Sequence, residues 1–141
     1  MKRIGILVTM LAGASASAQN QPTATTKELM LDLIHPASNS ILLLVNRGGP
    51  KNESEWAEVR RSALALAESG NLLGMPGRAR DQGDWVKDAK MLADAGTAAY
   101  KAAQARDARA LAAVAESLDA SCTTCHKQYR PNVFPRQGGS K

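Results

Sequence analysis

The sequence predicts an all-α protein, an antiparallel four-helix bundle, and three observations support that fold class. Alanine is abundant, whereas valine, isoleucine and the five aromatic residues are scarce in the 141-residue chain, a composition that favours packed helices over sheets. Apolar residues recur at steps of three and four along four long stretches, the period of a helix with one buried face. Short connections join these stretches, as is typical of an up-and-down bundle, and the length fits a single domain.

The first two helices have recognisable boundaries. The first is predicted over residues 23–46, and Pro36, which removes one backbone donor, predicts a bend near residues 32–35. The second is predicted to begin after Asn52 as its N-cap, with Glu55 completing a capping box. The residues predicted to face inward are Met30, Leu33, Ala37, Ile41 and Leu44 on the first helix and Trp56, Val59, Ala63, Leu66, Gly70 and Leu73 on the second.

The third and fourth helices follow a glycine-rich loop over residues 74–83. The third is predicted from about Asp84 to Ala105, and the fourth from Ala108 to about Arg130 with Asp107 as its cap. Gly96 weakens the third helix by about 1 kcal/mol relative to alanine, so its place on the inward stripe indicates a close approach by a neighbouring helix. The inward residues are Trp85, Ala89, Leu92, Gly96, Ala99 and Ala103 on the third helix and Leu111, Val114, Leu118, Cys122, Cys125 and Tyr129 on the fourth.

Residues 1–18 have the pattern of a secretory signal peptide. Lys2 and Arg3 give a basic start, residues 4–12 are apolar, and Ala16-Ser17-Ala18 offers a cleavage site of small residues. A membrane anchor is the alternative, but the apolar run is far shorter than the roughly 20 residues that span a bilayer. We therefore expect an exported, soluble domain over residues 19–141, without stable membrane insertion.

The charge balance is ordinary once the signal peptide is set aside. The whole chain carries a formal net charge of +5, and without Lys2 and Arg3 there remain 16 basic and 13 acidic residues, or +3. Basic residues form no stripe and are not interleaved with aromatic residues, which nucleic-acid binding would require. We expect no nucleic-acid partner.

The residues that carry chemistry lie near the end of the fourth helix. Cys122-Thr123-Thr124-Cys125-His126 is the CxxCH motif of covalent haem attachment. Spacings of three and four residues place Cys122, Cys125 and His126 on one side of a helix. Two thiols can then add to the two haem vinyl groups while the imidazole reaches the iron from the same side. The sequence thus predicts one covalent haem c.

Two other readings of the motif are weaker. A redox CxxC of the thioredoxin type normally begins a helix after a strand, where the thiol pKa is lowered, whereas this pair comes late in a long helix. A zinc site needs a fourth ligand, and the second histidine of the chain is His35, with no further cysteine pair. A thiol oxidoreductase would require that the matured protein carries no haem.

Four helices with a C-terminal CTTCHKQYR segment, residues 122–130, resemble the cytochrome c′ family of class II c-type cytochromes. The resemblance covers helix number and order over the mature chain, and its specific motif is those nine residues. It implies one haem c in a bacterial periplasm and His126 as the proximal iron ligand. It also places the haem between the first and last helices, so the first helix supplies the residue on the other side of the iron.

Met30 is the candidate sixth iron ligand. It lies on the inward face of the first helix, where the family places its distal residue, and a methionine there gives a six-coordinate, low-spin centre by the same resemblance. The alternative is that Met30 only fills the core, as methionine often does. His35 is a rival donor, but it lies five residues from Met30, about 140° around the helix, so the two cannot face one iron. Met75 and Met91 are further rivals, one in a loop and one off the inward stripe.

Supporting roles follow partly from the resemblance. Arg130 is expected to contact a haem propionate, Tyr129 to pack near the ring, and Lys27, one turn before Met30, is a second basic candidate. Trp56 and Trp85 are expected in the bundle core or an interface rather than against the haem.

The predicted function depends on the coordination of the iron. With His126 and Met30 both bound, the protein is an exported monohaem electron carrier that works with redox partner proteins and is not an enzyme. The alternative is a five-coordinate, high-spin cytochrome c′ that binds nitric oxide or carbon monoxide, with Leu29 or Leu33 covering the iron. Dimers are common in the family, but the sequence does not determine whether this chain forms a homodimer.

Overall fold

The computed structural model describes residues 21–132 of the chain; the signal peptide predicted over residues 1–18 lies outside them. The described residues are all-α, as predicted, and their four long helices are compatible with a helical bundle. In chain order these helices are α1 (Thr26–Asn46), α2 (Glu53–Leu73), α3 (Asp84–Ala105) and α4 (Ala108–Tyr129).

Side-chain caps fix the starts of α2 and α4 where the sequence predicts them. Asn52 accepts a hydrogen bond from the Glu55 backbone N–H (2.9 Å), and Asp107 accepts one from the Ala110 backbone N–H (2.8 Å). The capping box predicted for α2 is only half formed. The Glu55 carboxylate accepts instead from the backbone N–H of Lys51, at 2.6 Å, so it closes the turn one residue before the cap.

The start of α1 lies three residues later than predicted because Thr25 caps the helix. Its hydroxyl oxygen accepts from the Glu28 backbone N–H (3.2 Å), and the Glu28 carboxylate accepts from the Thr25 backbone N–H (2.8 Å). These two bonds form a capping box, which satisfies two backbone donors at once. The helix therefore begins at Thr26.

A π-helical turn over Leu29–Ile34 lies where Pro36 predicts a bend in α1. The His35 backbone N–H donates to the Met30 carbonyl, five residues back. Proline has no N–H and its ring crowds the carbonyl four residues before it, and the wider turn accommodates both effects. The wider turn also shifts the buried face, so Leu33, predicted to face inward, is 39% exposed while Leu29 and Ile34 are buried.

The closest packing is between α2 and α3, where small residues face each other. A Cβ atom added to Gly96 would overlap the backbone of Ala67, and one added to Gly70 would overlap Ala93. The close approach predicted at Gly96 is therefore confirmed. α4 packs on α3, and α1 packs on both α2 and α4, so the four helices bury one shared core.

By length and composition, α1 is apolar enough to cross a membrane. Core helices of soluble proteins have the same property. Here one side of α1 is buried against other helices through Ile34, Ala37, Ile41 and Leu44.

Candidate haem-binding site

The residues of the CxxCH motif and Met30 line the same cavity. Cys122, Cys125 and His126 reach it from the last turns of α4, and Met30 reaches it from the π turn of α1. The cavity encloses about 40 Å³. The remaining lining is mostly apolar and comes from all four helices: Ile34, Leu73, Trp85, Asp88, Ala89, Leu92 and Ser121.

The motif faces inward because it continues the buried stripe of α4. Leu111 and Leu118 are fully buried, and Ser121, one turn further, is buried as well. The helical period carries this stripe on to Cys122 and Cys125, which are half-buried. The same period that builds the core therefore brings both thiols to the cavity.

A second cavity of about 130 Å³ adjoins the first and is lined by basic residues. Lys27, Arg80 and Arg130 contribute to its wall, and it shares Met30 and His126 with the first cavity. Three cations around one opening favour anionic groups such as carboxylates. Lys27 and Arg130, the two basic residues expected near a haem propionate, both line this second cavity.

Arg80 is a part of this wall that the sequence analysis missed. Its guanidinium carbon lies 5.6 Å from the centroid of the Trp85 ring, a cation–π distance. It comes from the glycine-rich loop, and nothing in the local sequence shows which of the loop's charged residues turns towards the cavity. Trp85 belongs to the core as predicted, but it also lines both cavities.

Tyr129 and Asp81 tie the end of α4 to the loop that precedes α3. The Tyr129 hydroxyl donates to an Asp81 carboxylate oxygen at 2.5 Å, and the Tyr129 ring meets Trp85 edge-on at 4.8 Å between centroids. Asp81 also accepts from the backbone N–H groups of Gly83 and Trp85, both at 3.0 Å. Tyr129 also lines the second cavity.

Burial keeps both thiols and the imidazole uncharged at neutral pH. It raises the pKa of Cys122, and it raises that of Cys125 to about 11, with the Asp88 carboxylate adding to the second shift. Burial also lowers the pKa of His126, and the charge of Arg130 acts in the same direction. Protonated thiols are poor nucleophiles for disulfide exchange, whereas a neutral imidazole is ready to bind a metal.

The rival donors lie away from the cavity. His35 is exposed on α1, and its Nε2 atom lies 3.3 Å from the Asn39 amide. Met75 and Met91 line neither cavity, and the same is true of Leu29 and Leu33, the expected iron-covering residues of the gas-binding alternative. Within residues 21–132, no group of three or more His, Cys, Asp and Glu side chains is arranged to hold a metal ion, so no zinc site is found there.

The residues fit a covalently attached haem in chemistry, though the cavity is small. Two thiols, an imidazole and a thioether converge on an apolar space beside a basic rim, and these are the groups that hold a haem c. A volume of about 40 Å³ has room for a few water molecules. A haem ring at this place would therefore have to displace side chains that line the cavity.

No family model matches this chain, and neither a curated protein nor a solved structure is found to be similar to it.

Proposed function

We propose that this protein is an exported, monohaem c-type cytochrome of the cytochrome c′ type that acts as an outer-sphere electron carrier. In this proposal Cys122 and Cys125 form the thioether links, His126 is the proximal iron ligand and Met30 is the sixth ligand. The observation that carries it is the shared cavity, where a thioether from α1 meets the CxxCH motif of α4. The bacterial periplasm is its proposed location, with redox proteins as its partners.

We also infer an antiparallel, up-and-down order of the helices. Two residues separate the end of α3 from the start of α4, and six separate α1 from α2. Connections this short join antiparallel neighbours in helical bundles. The turn after α3 is tight because Arg106 adopts the left-handed conformation, with φ of 53°.

Each side chain has a defined part in the proposed function. The haem, when bound, supplies an iron that alternates between ferric and ferrous states. His126 and Met30 would hold that iron from two helices of one core, so little rearrangement would be needed when its charge changes. Trp85 and Leu92 line the first cavity and would exclude water from the ring. Lys27, Arg80 and Arg130 line the second cavity and would offer positive charge to the propionates. No catalytic residue is needed for this role.

The sixth ligand is tested by the optical spectrum of Met30→Ala in the haem-loaded protein. We expect the wild-type protein to be low-spin, with a methionine-to-iron charge-transfer band, and not to react with carbon monoxide. Met30→Ala should be high-spin when oxidised and should bind carbon monoxide when reduced. Met91→Ala is the matched control, since Met91 lines neither cavity, and it should behave as the wild type.

Two outcomes would contradict the proposal. A high-spin wild-type spectrum that shifts with carbon monoxide would mean an open iron site and would favour the gas-binding alternative. A colourless protein, purified from a strain that attaches haem to CxxCH motifs, would contradict both the electron carrier and the gas-binding cytochrome. A thiol oxidoreductase that uses Cys122 and Cys125 would then be the remaining hypothesis.

A further inference from the structure

A buried carboxyl group lies in the wall of the cavity with no role in the proposed function so far. Asp88 on α3 is 4% exposed, and its Oδ2 atom has no hydrogen-bond partner. Buried polar groups are nearly always hydrogen-bonded, because leaving one unpaired costs free energy. An unpaired oxygen at this position therefore needs an explanation.

The charges around Asp88 do not compensate for its burial. Asp84, one turn earlier on α3, and Asp81 in the preceding loop add negative charge, while Lys87 opposes them. Burial is the largest effect, and together these groups raise the pKa of Asp88 above its ordinary value. The groups that face it across the cavity from α4 are Cys122, Cys125 and His126, and those from α1 and α2 are the uncharged Met30, Ile34 and Leu73.

The electrostatic effects also show which part of the site Asp88 faces. Its charge acts on Cys125, where Arg80 opposes it. Asp88 therefore faces the Cys125 thiol, and it lines the same cavity as the proposed iron ligands His126 and Met30.

We propose that Asp88 is a proton-binding site whose occupancy is coupled to the redox state of the haem. This inference rests on the proposed function and deepens it. A carboxylate buried in the wall is destabilised further when an electron enters the cavity, because the two negative charges repel in a medium of low dielectric. Asp88 then takes one proton from solvent as a one-electron donor protein delivers one electron, and it releases that proton on oxidation. The net charge of the cavity is thus unchanged.

The test is the midpoint potential of the haem-loaded protein between pH 4 and pH 9, for the wild type, Asp88→Asn and Asp84→Asn. One proton taken up per electron gives a slope approaching about 59 mV per pH unit. We expect that slope in the wild type over part of this range, a flat profile in Asp88→Asn, and the slope retained in Asp84→Asn, whose side chain is exposed.

A spectroscopic readout accompanies the potential. The reduced-minus-oxidised infrared spectrum should contain the C=O band of a protonated carboxyl group, and Asp88→Asn should lack it. A pH-independent potential in the wild type, or a slope that persists in Asp88→Asn, would overturn this inference while leaving the electron carrier intact. A protein without haem would overturn the proposed function itself, so the two failures are distinguishable.

Discussion

Tyr129 shows how a single hydrogen bond positions the CxxCH helix. Its hydroxyl donates to Asp81, which lowers the pKa of Asp81 and raises that of Tyr129 well above its ordinary value. Asp81 in turn accepts from the backbone at the start of α3. The last turn of α4, which carries His126, is thereby fixed to the wall of the cavity.

We expect Tyr129→Phe to lower the melting temperature while retaining the ring contact with Trp85. The folded-state pKa of Asp81 is lowered, so the stabilisation that this carboxylate contributes is fully present above pH 3.8. It is lost as the pH falls through the folded-state pKa. The raised pKa of Tyr129 sets the upper pH limit. The stabilisation from its hydroxyl is fully present below pH 10.0 and is lost as the pH rises through the folded-state pKa.

Urea unfolding of the wild type and Tyr129→Phe across the pH range checks this prediction. The difference in unfolding free energy should be greatest between these limits and should shrink towards both extremes. Tyr100→Phe is the control. A difference that does not depend on pH would show that the two groups are not coupled in the folded protein.

At the scale of elements, the π turn of α1 decides which way Met30 faces. It ends two residues before Pro36, and π turns occur often at functional sites. Winding the same residues as a regular α-helix would absorb the extra residue of the wide turn and would rotate the part of α1 before it by about 100° relative to the part after it. The orientation of Met30 towards the cavity therefore depends on this irregularity.

We expect Pro36→Ala to restore a backbone N–H and to allow a regular α-helix in place of the π turn. Met30 would then rotate away from the cavity, and the oxidised haem protein should gain a high-spin component like that of Met30→Ala. Absorption spectroscopy measures that fraction, and Pro50→Ala, in the turn before α2, is the control. A fully low-spin Pro36→Ala spectrum would mean that Met30 keeps its orientation without the proline.

We expect Gly96→Ala to destabilise the protein by about 1–3 kcal/mol, although alanine is the better helix former. The added methyl group would overlap the Ala67 backbone where α2 and α3 meet, and backbone atoms do not yield easily. Gly74→Ala is the control, since its Cβ would meet neighbours at 3.7 Å or more. Thermal unfolding compares them, and equal melting temperatures would contradict close packing at Gly96.

The regular parts of the fold could be predicted from the sequence, and the irregular part could not. The period of apolar residues and the caps at Asn52 and Asp107 predict where α2, α3 and α4 begin. Leu33 was placed on the wrong face because the prediction assumed 3.6 residues per turn throughout α1. Pro36 signals a disturbance of the helix, but the sequence does not show that the disturbance is a π turn.

The site was partly predictable for the same reason. The CxxCH motif is local in sequence, so Cys122, Cys125 and His126 could be named directly, and Met30, which lines the same cavity, followed from helical period and family resemblance. Asp88 was missed although it lies three residues after Trp85 and four before Leu92, which places it on the inward stripe of α3. The sequence could not indicate Arg80 in the same way. A loop has no regular repeat from which the direction of a side chain can be predicted.

At the scale of the whole molecule, the proposed haem attachment would have to enlarge the cavity while the contact of α2 with α3 stays closed. The cavity, which is lined by all four helices, is smaller than a haem ring, whereas the contact of α2 with α3 has no room to spare at Gly70 and Gly96. We infer that α2 and α3 form a rigid half against which the other helices adjust.

Hydrogen exchange of the haem-free and haem-loaded proteins tests this division. We expect the amides of α1 and α4 to gain protection on haem attachment, by tenfold or more, while those of α2 and α3 near Gly96 change little. Cys122→Ser/Cys125→Ser, which cannot form the thioether links, provides the haem-free state under identical conditions. A uniform gain over all four helices would instead indicate that the haem-free protein is loosely packed throughout.

In the proposed cytochrome, the inward-facing thiols also set the order of events during maturation. The two cysteines and His126 are synthesised after the first three helices, and folding turns their side chains towards an interior with little space. An enzyme that joins the haem to them therefore has to act while α4 is still extended, before the chain closes. Premature folding would compete with attachment, so a slower-folding variant should mature more completely in cells that attach haem slowly.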